Sequence, residues 1–266
     1  MNPNKAAVNQ MYQLARFYDI VFDRDVAPHV AFCIQAYQHF TGRKPVSMLD
    51  LACGPGYYAR EFARQGVRAT GLDLSSGMIA FAVERAQQKQ IDVRFIEADM
   101  RAFELDAPVD LIIGVFDAID FLLDHDALVN HFETVARNLT PNGIYLIQQT
   151  PQSCTRSVYN PGTFYYHGER DGIEVNFTWG TNDPHADLTT GIMTVEMKFQ
   201  VIENGQETVF HDQSTERVCL PTELIVVAER VVGSFRHVGS YGDFDLSRAP
   251  DWFENTPYII TVFQKR

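Results

Sequence analysis

The stretch that decides the fold is MLDLACGPGYYA, residues 48–59. It begins as a short apolar run, passes through a turn containing Gly54 and Gly56, and continues into a segment with helical spacing. Glycine at such a turn lets the backbone approach a ligand closely, where a Cβ would clash, and the following helix start favours polar ligand groups. The segment therefore predicts a strand–turn–helix unit that binds a cofactor at its turn.

Short apolar runs alternate with amphipathic segments along much of the chain. The pattern predicts strands at 46–52, 67–72, 93–96, 109–115, 144–149, 235–239 and 258–264, and helices at 57–65, 77–89, 126–139 and 222–232. Ser75 or Ser76 is expected to cap the second of these helices. Strands that alternate with helices imply right-handed crossovers, so the predicted fold class is α/β with a doubly wound, mostly parallel sheet.

Two other segments flank or interrupt this frame. Residues 7–40 carry apolar positions at helical spacing and predict two helices joined by a turn. Residues 162–218 contain strands around Asp171-Gly172 and Asn204-Gly205, which are typical two-residue hairpin turns. Apolar and polar residues alternate from 195 to 201, which predicts an inserted antiparallel sheet with one apolar and one polar face.

Composition excludes several classes of protein. The chain has 266 residues, enough for one large domain with an insertion, and its 22 Lys and Arg against 34 Asp and Glu give a net charge of −12. This charge, without a basic run, argues against nucleic acid or an anionic membrane as partner. The four cysteines (Cys33, Cys53, Cys154 and Cys219) are far apart, so we expect a reduced compartment and no metal site. Residues 1–13 are polar and no apolar stretch approaches about 18 residues, so we expect a cytoplasmic protein without a signal peptide or a membrane span.

The glycine-rich turn alone leaves two cofactor classes open. Gly54, Gly56 and Ala59 match the G-x-G-x-x-A pattern of nicotinamide and flavin sites, and Asp73 ends the next strand, where a carboxylate can accept the ribose hydroxyl hydrogens. Asp50, however, lies before the turn, where it would crowd a pyrophosphate but suits a ligand with an ammonium and a sulfonium group.

The sequence resembles the class I S-adenosylmethionine-dependent methyltransferases of the small-molecule type. Four segments occur in the family's order: LDLACGPG (49–56), GLDLSSGMI (71–79), EADMRAF (97–103) and VDLIIGVFDAIDFL (109–122). The resemblance is close over 46–150 and looser over 220–264. It implies a Rossmann-like sheet of seven strands ending in an antiparallel hairpin, an N-terminal helical lid, and S-adenosylmethionine as cofactor, with S-adenosylhomocysteine as product.

The resemblance also implies roles for individual residues. The methionine part would be wrapped by Leu51, Ala52, Gly54, Pro55 and Gly56, the ribose bound by Asp73, and the adenine held by Leu74, Met78, Asp99 and Met100. Phe116 would lie beside the methyl group, and Tyr18 of the lid would approach the cofactor's carboxylate. Plainer alternatives stay open: a helix cap for Asp73, a loop acid beside Arg101 for Asp99, and a core residue for Tyr18.

The acceptor side is less specified by sequence. Asp117 and Asp120 follow a central strand at the edge where open α/β sheets bind ligands, so they would orient an amine or a cationic substrate unless they only cap the loop. Tyr241 begins a Tyr-Gly-Asp-Phe segment similar to one in related small-molecule enzymes, with a surface turn as the alternative; Tyr241 and Tyr18 are the candidate proton handlers, with His167, if the acceptor is oxygen. His167 is the one histidine considered as a proton acceptor, whereas Cys53 is expected to be a packed residue.

These observations predict methyl transfer from S-adenosylmethionine to a small molecule, with nitrogen favoured over oxygen because no histidine base accompanies the two carboxylates. A nicotinamide-dependent oxidoreductase and a non-catalytic S-adenosylmethionine-binding protein are the alternatives. The predicted units are a lid (1–45), a cofactor-binding core (46–160 and 219–266) and a β insertion (161–218). The aromatic residues of the insertion would cap the substrate, form its own core, or provide the face of a homodimer.

Overall fold

A computed structural model describes residues 10–150, 162–250 and 258–266. The helices are α1 (Ala15–Phe22), α2 (Ala27–Thr41), α3 (Tyr57–Arg64), α4 (Ser76–Gln88), α5 (His125–Asn138) and α6 (Pro221–Val226), the last continuing as a π-helical turn over Val227–Val231. Single 3₁₀ turns cover Gln10–Gln13 and Ala118–Phe121. Cys154 lies outside the described residues.

Seven strands form the main sheet, in the order β3-β2-β1-β4-β5-β11-β10. They are β1 (Ser47–Leu51), β2 (Arg68–Asp73), β3 (Arg94–Glu97), β4 (Val109–Gly114), β5 (Leu139–Gln149), β10 (Phe235–Gly242) and β11 (Ile259–Lys265). The first five pair in parallel, while β11 is antiparallel to both β5 and β10. The predicted α/β fold class is confirmed, including the antiparallel hairpin at the end of the sheet.

Strand β5 begins earlier than the sequence pattern indicates. The segment Pro141-Asn142-Gly143 reads as a turn before a strand at 144, but the strand already starts at Leu139. The pairing with β4 shifts between Val109 and Leu111, and Asn142 takes a φ of 60° at this irregularity. The polar Pro-Asn-Gly signal therefore marks a bulge inside the strand, which extends the sheet directly from the end of α5.

A second, antiparallel sheet is made of β6 (Phe164–Arg170), β7 (Ile173–Trp179), β8 (Ile192–Glu203) and β9 (Gln206–Arg217). Both predicted hairpin turns are present, with positive φ at Asp171 and Gly172 and at Asn204 and Gly205. The inner face buries Val175, Phe177, Val195, Met197, Phe199 and Val201, which join one core cluster with α2 and α3. The insertion is thus a sheet with one buried and one open face.

Helix α1 lies between the inserted sheet and helix α4. Asp19, which is 2% exposed, accepts hydrogen bonds from Arg85 of α4 and Arg170 of β6. At Gly168 of β6 a Cβ would lie 2.2 Å from the carbonyl oxygen of Ile20, so the close contact between helix and sheet requires glycine there. The N-terminal segment is therefore joined to both neighbours.

Helix α2 has a different place from α1, although both fall in the predicted lid. Its residues Val30, Phe32, Cys33, Ala36 and Tyr37 are at most 3% exposed and belong to the core cluster that includes β1, β4 and β5. This helix contributes to the layer that covers the main sheet. None of the described helices has the length and apolar character needed to cross a membrane.

Candidate active site

The turn after β1 opens toward the carboxyl edge of the main sheet. Ala52, Gly54 and Gly56 all have positive φ, at 52°, 51° and 78°. A Cβ built on Gly54 would meet nothing within 4 Å, whereas one on Gly56 would lie 2.7 Å from the ring of Phe95. Gly54 thus faces space that a ligand can fill, while Gly56 is required by packing against the next strand.

Asp73 joins the end of β2 to this turn. Its carboxylate accepts hydrogen bonds of 2.8 Å from the backbone N–H groups of Gly54 and Ser75. Ser75 is the helix cap, since its Oγ accepts from the N–H of Met78 at 3.2 Å. Ser75, and not Asp73, is therefore the residue that caps helix α4. Each carboxylate oxygen of Asp73 keeps a lone pair that can accept a further hydrogen bond, for example from a ribose hydroxyl.

Asp50 is buried beneath the turn with one oxygen unpaired. Its Oδ2 accepts from the N–H of Ala59 at 3.3 Å, but Oδ1 has no hydrogen-bond partner in the described part of the chain. Burial raises the pKa of this carboxyl group to about 8. An orphaned buried carboxylate oxygen is costly unless a donor reaches it. This unpaired acceptor oxygen, together with the open space at Gly54, fits the ammonium group and methionine chain of S-adenosylmethionine.

The predicted adenine side contains an ion pair. Asp99 accepts two bonds of 3.0 Å from Nε of Arg101 and one of 2.6 Å from its Nη2. Burial alone would raise the pKa of Asp99, but the hydrogen bonds from Arg101 outweigh it and lower the pKa. The backbone N–H of Arg101 donates a fourth bond of 2.9 Å, so the acceptor sites of Asp99 are engaged and the loop-acid alternative describes its present contacts.

The other cofactor candidates differ in accessibility. Ala52 is exposed, and Gly54, Leu74, Met100 and Phe116 are partly exposed. Leu51, Pro55, Gly56 and Met78 are buried, and the side chains of Leu51 and Met78 lie almost wholly inside the protein. The accessible members can meet a ligand directly, while the buried ones shape the turn and support helix α4.

Phe116 and Asp117 follow β4 in strained backbone conformations. Both have a positive φ, 54° and 55°, which is uncommon for residues other than glycine. The N–H of Phe116 donates to Oε1 of Gln148 at 2.7 Å, and the hydroxyl of Thr150 donates to Asp117 at 2.7 Å. Neighbouring β5 therefore holds this loop at the carboxyl edge of the sheet.

Asp117 and Asp120 have different surroundings. Burial raises the pKa of both, and the charges of Asp117 and Glu216 raise that of Asp120 further, while the charge of Arg217 opposes this shift. Asp117 is satisfied by Thr150, whereas the carboxylate of Asp120 makes no hydrogen bond or ion pair with the residues that the structure describes. Asp120 is thus the acidic group of this loop that needs a partner.

The N-terminal segment covers this edge. Tyr18 packs against Phe22 with the two rings tilted by 37° and their centroids 4.4 Å apart. Burial raises the pKa of Tyr18, the charge of Arg24 opposes the shift, and that of Asp73 adds to it, so Tyr18 lies near both. The guanidinium of Arg24 lies 4.4 Å from the ring centroid of Phe116. The structure thus brings Tyr18, Asp73 and Phe116 together and adds Arg24, which the sequence patterns do not single out.

Two proposed proton handlers lie elsewhere. His167 is on the exposed face of the inserted sheet, where its Nδ1 lies 3.0 Å from Oδ1 of Asn176. Tyr241 packs edge-on against Phe32 of α2, with ring centroids 6.0 Å apart. The described contacts bring neither residue to the Phe116–Asp120 loop, because the strand register turns His167 outward and the ring of Tyr241 is used in packing.

A further acid, Glu216, was missed by the sequence patterns. It lies on the inner face of β9 and accepts a bond of 3.3 Å from Nε1 of Trp179. One signal could have revealed it. Side chains alternate between the two faces of β9, and Glu216 falls on the face that pairs with Met193 of the apolar face of β8, where a charged residue is unexpected.

Comparisons with known proteins agree with this geometry. A family profile described as a methyltransferase domain matches residues 48–143. The putative methyltransferase YqeM of Bacillus subtilis is 27% identical over 66% of this chain and 68% of its own length. A dTDP-4-amino-2,3,4,6-tetradeoxy-D-glucose N,N-dimethyltransferase of Saccharopolyspora spinosa is 29% identical, over 47% of this chain and 49% of its own. The match thus spans about half the length of that relative.

Solved structures share the fold over nearly the whole chain. An S-adenosylmethionine-dependent methyltransferase from Clostridium acetobutylicum superposes with a TM-score of 0.75 at 17% identity, covering 96% of this chain and 98% of that one. DesVI of Streptomyces venezuelae gives 0.71 at 20% identity, covering 96% and 99%. Together with the domain match and the site geometry, these findings favour methyl transfer over nicotinamide chemistry: residues 48–143 match a methyltransferase domain, and the fold is that of S-adenosylmethionine-dependent methyltransferases.

Proposed function

We propose that this enzyme methylates an amino nitrogen of a small-molecule acceptor. The observation that carries the proposal is Asp120, a carboxylate at the carboxyl edge of the sheet, beside the Phe116–Asp117 bend, that makes no hydrogen bond or ion pair with the described residues; the nearby charge of Arg217 is already paired with Glu223. Taking a carboxylate out of water is costly unless a donor or a cation compensates it. An amine or ammonium group is the acceptor chemistry that would do so.

Cofactor binding is assigned to the turn and the ends of the first strands. S-adenosylmethionine, when bound, supplies an electrophilic methyl group on a sulfonium centre whose departure leaves a neutral thioether. In the proposal, Asp50 and the 52–56 turn hold its amino acid part, Asp73 binds the ribose, and Leu74, Asp99 and Met100 line the adenine. Arg24 and Tyr18 face the carboxylate, since Arg24 lies over Phe116 without a carboxylate partner in the described chain.

The protein's contribution to the reaction is chiefly orientation and exclusion of water. Methyl transfer needs an in-line approach of the acceptor lone pair, so precise positioning lowers the barrier without an acid to assist the leaving group. Helix α1 and the inserted sheet cover the edge from above, and Asp19 ties them to α4. We assign the acceptor to the space between this cover and the Phe116–Asp120 loop.

The relatives support nitrogen as the acceptor atom. Relatives from Saccharopolyspora spinosa, Streptomyces fradiae and Streptomyces venezuelae are named as N,N-dimethyltransferases of dTDP-linked amino sugars. Others act on oxygen by name, such as a ubiquinone biosynthesis O-methyltransferase. The unpartnered carboxylate of Asp120 favours the first group, and an amino sugar is the acceptor class to test first.

The test has two stages. Calorimetry should show binding of S-adenosylmethionine and of S-adenosylhomocysteine, and a screen with a labelled methyl group should show transfer to amines and not to matched alcohols or phenols. Transfer to phenols alone would contradict the nitrogen assignment. Cofactor binding with no transfer to any member of either panel would favour the non-catalytic alternative.

A further inference from the structure

Strand β9 places polar residues on the otherwise apolar inner face of the inserted sheet. Asp212, Ser214 and Glu216 pair with Met197, Val195 and Met193 of β8, which are all buried. Asp212 is used by the N-terminal segment, because its Oδ2 accepts a 2.8 Å bond from the N–H of Met11. Among the described residues, the N-terminal segment makes no such hydrogen bond to Ser214 or Glu216.

Glu216 is a buried carboxylate that makes no ion pair with the described residues. It is 8% exposed, and its described hydrogen bond comes from the neutral indole N–H of Trp179. The next residue, Arg217, belongs to the opposite face and donates a 2.6 Å bond to Glu223. Ser214, beside Glu216 on the inner face, is 1% exposed; its hydroxyl lies close enough to the Glu216 carboxylate to lower the pKa of Glu216, and it forms no well-aligned hydrogen bond with the described residues. The strand therefore presents two buried polar groups that lack partners suited to them.

Glu216 lies near the Phe116–Asp120 loop at the carboxyl edge of the main sheet. The charge of Asp117 raises the pKa of Glu216, and the charge of Glu216 raises the pKa values of Asp120 and Tyr12. Strand β9 also packs against the 3₁₀ turn Ala118–Phe121, which carries Asp120. Glu216 and Asp120 thus approach one space from two sides, the inserted sheet and the loop after β4.

We propose that Glu216 is the residue of the inserted sheet that binds the acceptor's amino group and takes its proton, opposite Asp120 and beside the Ser214 hydroxyl. This inference rests on the proposed function. The ammonium form of the acceptor gives one N–H proton to the Glu216 carboxylate, and the freed lone pair forms the new N–C bond. The C–S bonding pair stays with sulfur, and the proton leaves Glu216 for water.

The electrostatics suit this exchange. Burial, as the largest cause, and the charge of Asp117 raise the pKa of Glu216 to about 7, while Trp179 and Ser214 oppose the shift. A carboxylate with a pKa in this range is a far better proton acceptor for an ammonium group than an exposed glutamate. An arriving cation would also relieve the repulsion among Glu216, Asp117 and Asp120.

The test compares Glu216→Gln with Glu196→Gln, a matched change on the exposed face of the same sheet. Wild type and both variants, saturated with S-adenosylhomocysteine, are titrated calorimetrically with cyclohexylamine hydrochloride and with cyclohexanol as the uncharged control. We expect Glu216→Gln to weaken amine binding about tenfold or more, with no change for cyclohexanol, while Glu196→Gln behaves as wild type. Equal amine affinity in all three proteins would overturn the inference.

A second readout separates a binding role from a structural one. The pH profile of methyl transfer to the amine should rise with the ionisation of Glu216 in wild type and in Glu196→Gln, and lose that limb in Glu216→Gln. An unchanged profile in Glu216→Gln would refute the proton role. If wild type binds S-adenosylmethionine but methylates no amine, the proposed function fails. If wild type methylates an amine and Glu216→Gln does so equally well with the same pH profile, only the present inference fails.

Discussion

The guanidinium of Arg24 lies 4.4 Å from the ring centroid of Phe116, over the residue that follows the central strand β4. Arg24 comes from the bend between α1 and α2, so the N-terminal segment places a positive charge directly at the carboxyl edge of the sheet. Burial is the largest cause of the raised pKa of Tyr18 and of the lowered pKa of His29; the charge of Arg24 opposes the first shift and adds to the second, so Arg24 lies near both groups.

We expect Arg24→Ala to weaken binding of S-adenosylmethionine roughly tenfold to a hundredfold, because a hydrogen bond to a charged group contributes about 1.5–3 kcal/mol. Calorimetric titration measures the loss. Methylthioadenosine, which lacks the carboxylate, is the control ligand, and its affinity should not change. Equal losses for both ligands would show that Arg24 acts through the fold of the lid and not on the carboxylate.

The two glycines of the turn should respond differently to alanine. Gly54→Ala should fold with a cost of about 1–2 kcal/mol for its left-handed backbone and should weaken cofactor binding, because its methyl group enters the open space. Gly56→Ala should lose more stability, since its Cβ would lie 2.7 Å from the ring of Phe95. Thermal unfolding and cofactor titration of both variants measure the difference. A Gly54→Ala protein with unchanged affinity would argue against the turn as the binding site.

Asp50 predicts a pH dependence of stability and of cofactor affinity. Its pKa is raised by burial to about 8, above the value of about 3.9 expected in the unfolded chain, so the protonated form stabilises the fold. This contribution is fully present below the unfolded pKa and is lost as the pH rises through the folded pKa. Cofactor affinity should change in the opposite sense, because the ammonium group prefers ionised Asp50.

Asp50→Asn should therefore flatten both profiles. Thermal unfolding of the unliganded protein and titration with S-adenosylmethionine between about pH 5 and about pH 9 provide the measurements. Sinefungin-type or adenosine ligands that differ in their amino group would show whether the ammonium is the sensed charge. A wild-type affinity that is constant over this range contradicts the assignment of Asp50.

The two aspartates after β4 should separate in their effects. Asp120→Asn should lower kcat/KM for an amine roughly tenfold to a hundredfold with cofactor affinity unchanged, because it removes a charge that needs the acceptor as partner. Asp117→Asn should mainly lower the melting temperature, since Thr150 donates to both oxygens of Asp117. Steady-state kinetics with the identified amine and thermal unfolding test this division. The reverse pattern would assign the acceptor to Asp117.

Local signals in the sequence predict much of the fold and of the cofactor side. The Asp-Gly and Asn-Gly pairs specify their hairpin turns through their own backbone preferences, and Asp73 lies at a fixed spacing from Gly54, so neither inference needs knowledge of distant contacts. The Pro141–Gly143 signal misled because turn residues also form bulges within strands.

The acceptor side depends on packing between distant segments, and the sequence patterns therefore miss it. Arg24 gains its place from the bend between α1 and α2, and Glu216 from the register of β9 against β8. The outward orientation of His167 follows from the register of β6 against β7, which the neighbouring residues in the sequence do not reveal. Helix α2 reads as a lid by position alone, but its buried face makes it a core helix.

The inserted sheet lies between the fifth strand of the main sheet and helix α6, and the proposed acceptor acid Glu216 comes from this single stretch of chain. Nearly all candidate cofactor residues lie before it, in the first half of the sheet. Evolution can therefore exchange or reshape this segment to change the acceptor while the donor half stays intact. The same division marks residues 162–217 as the segment to randomise or transplant when engineering a new acceptor preference onto this scaffold.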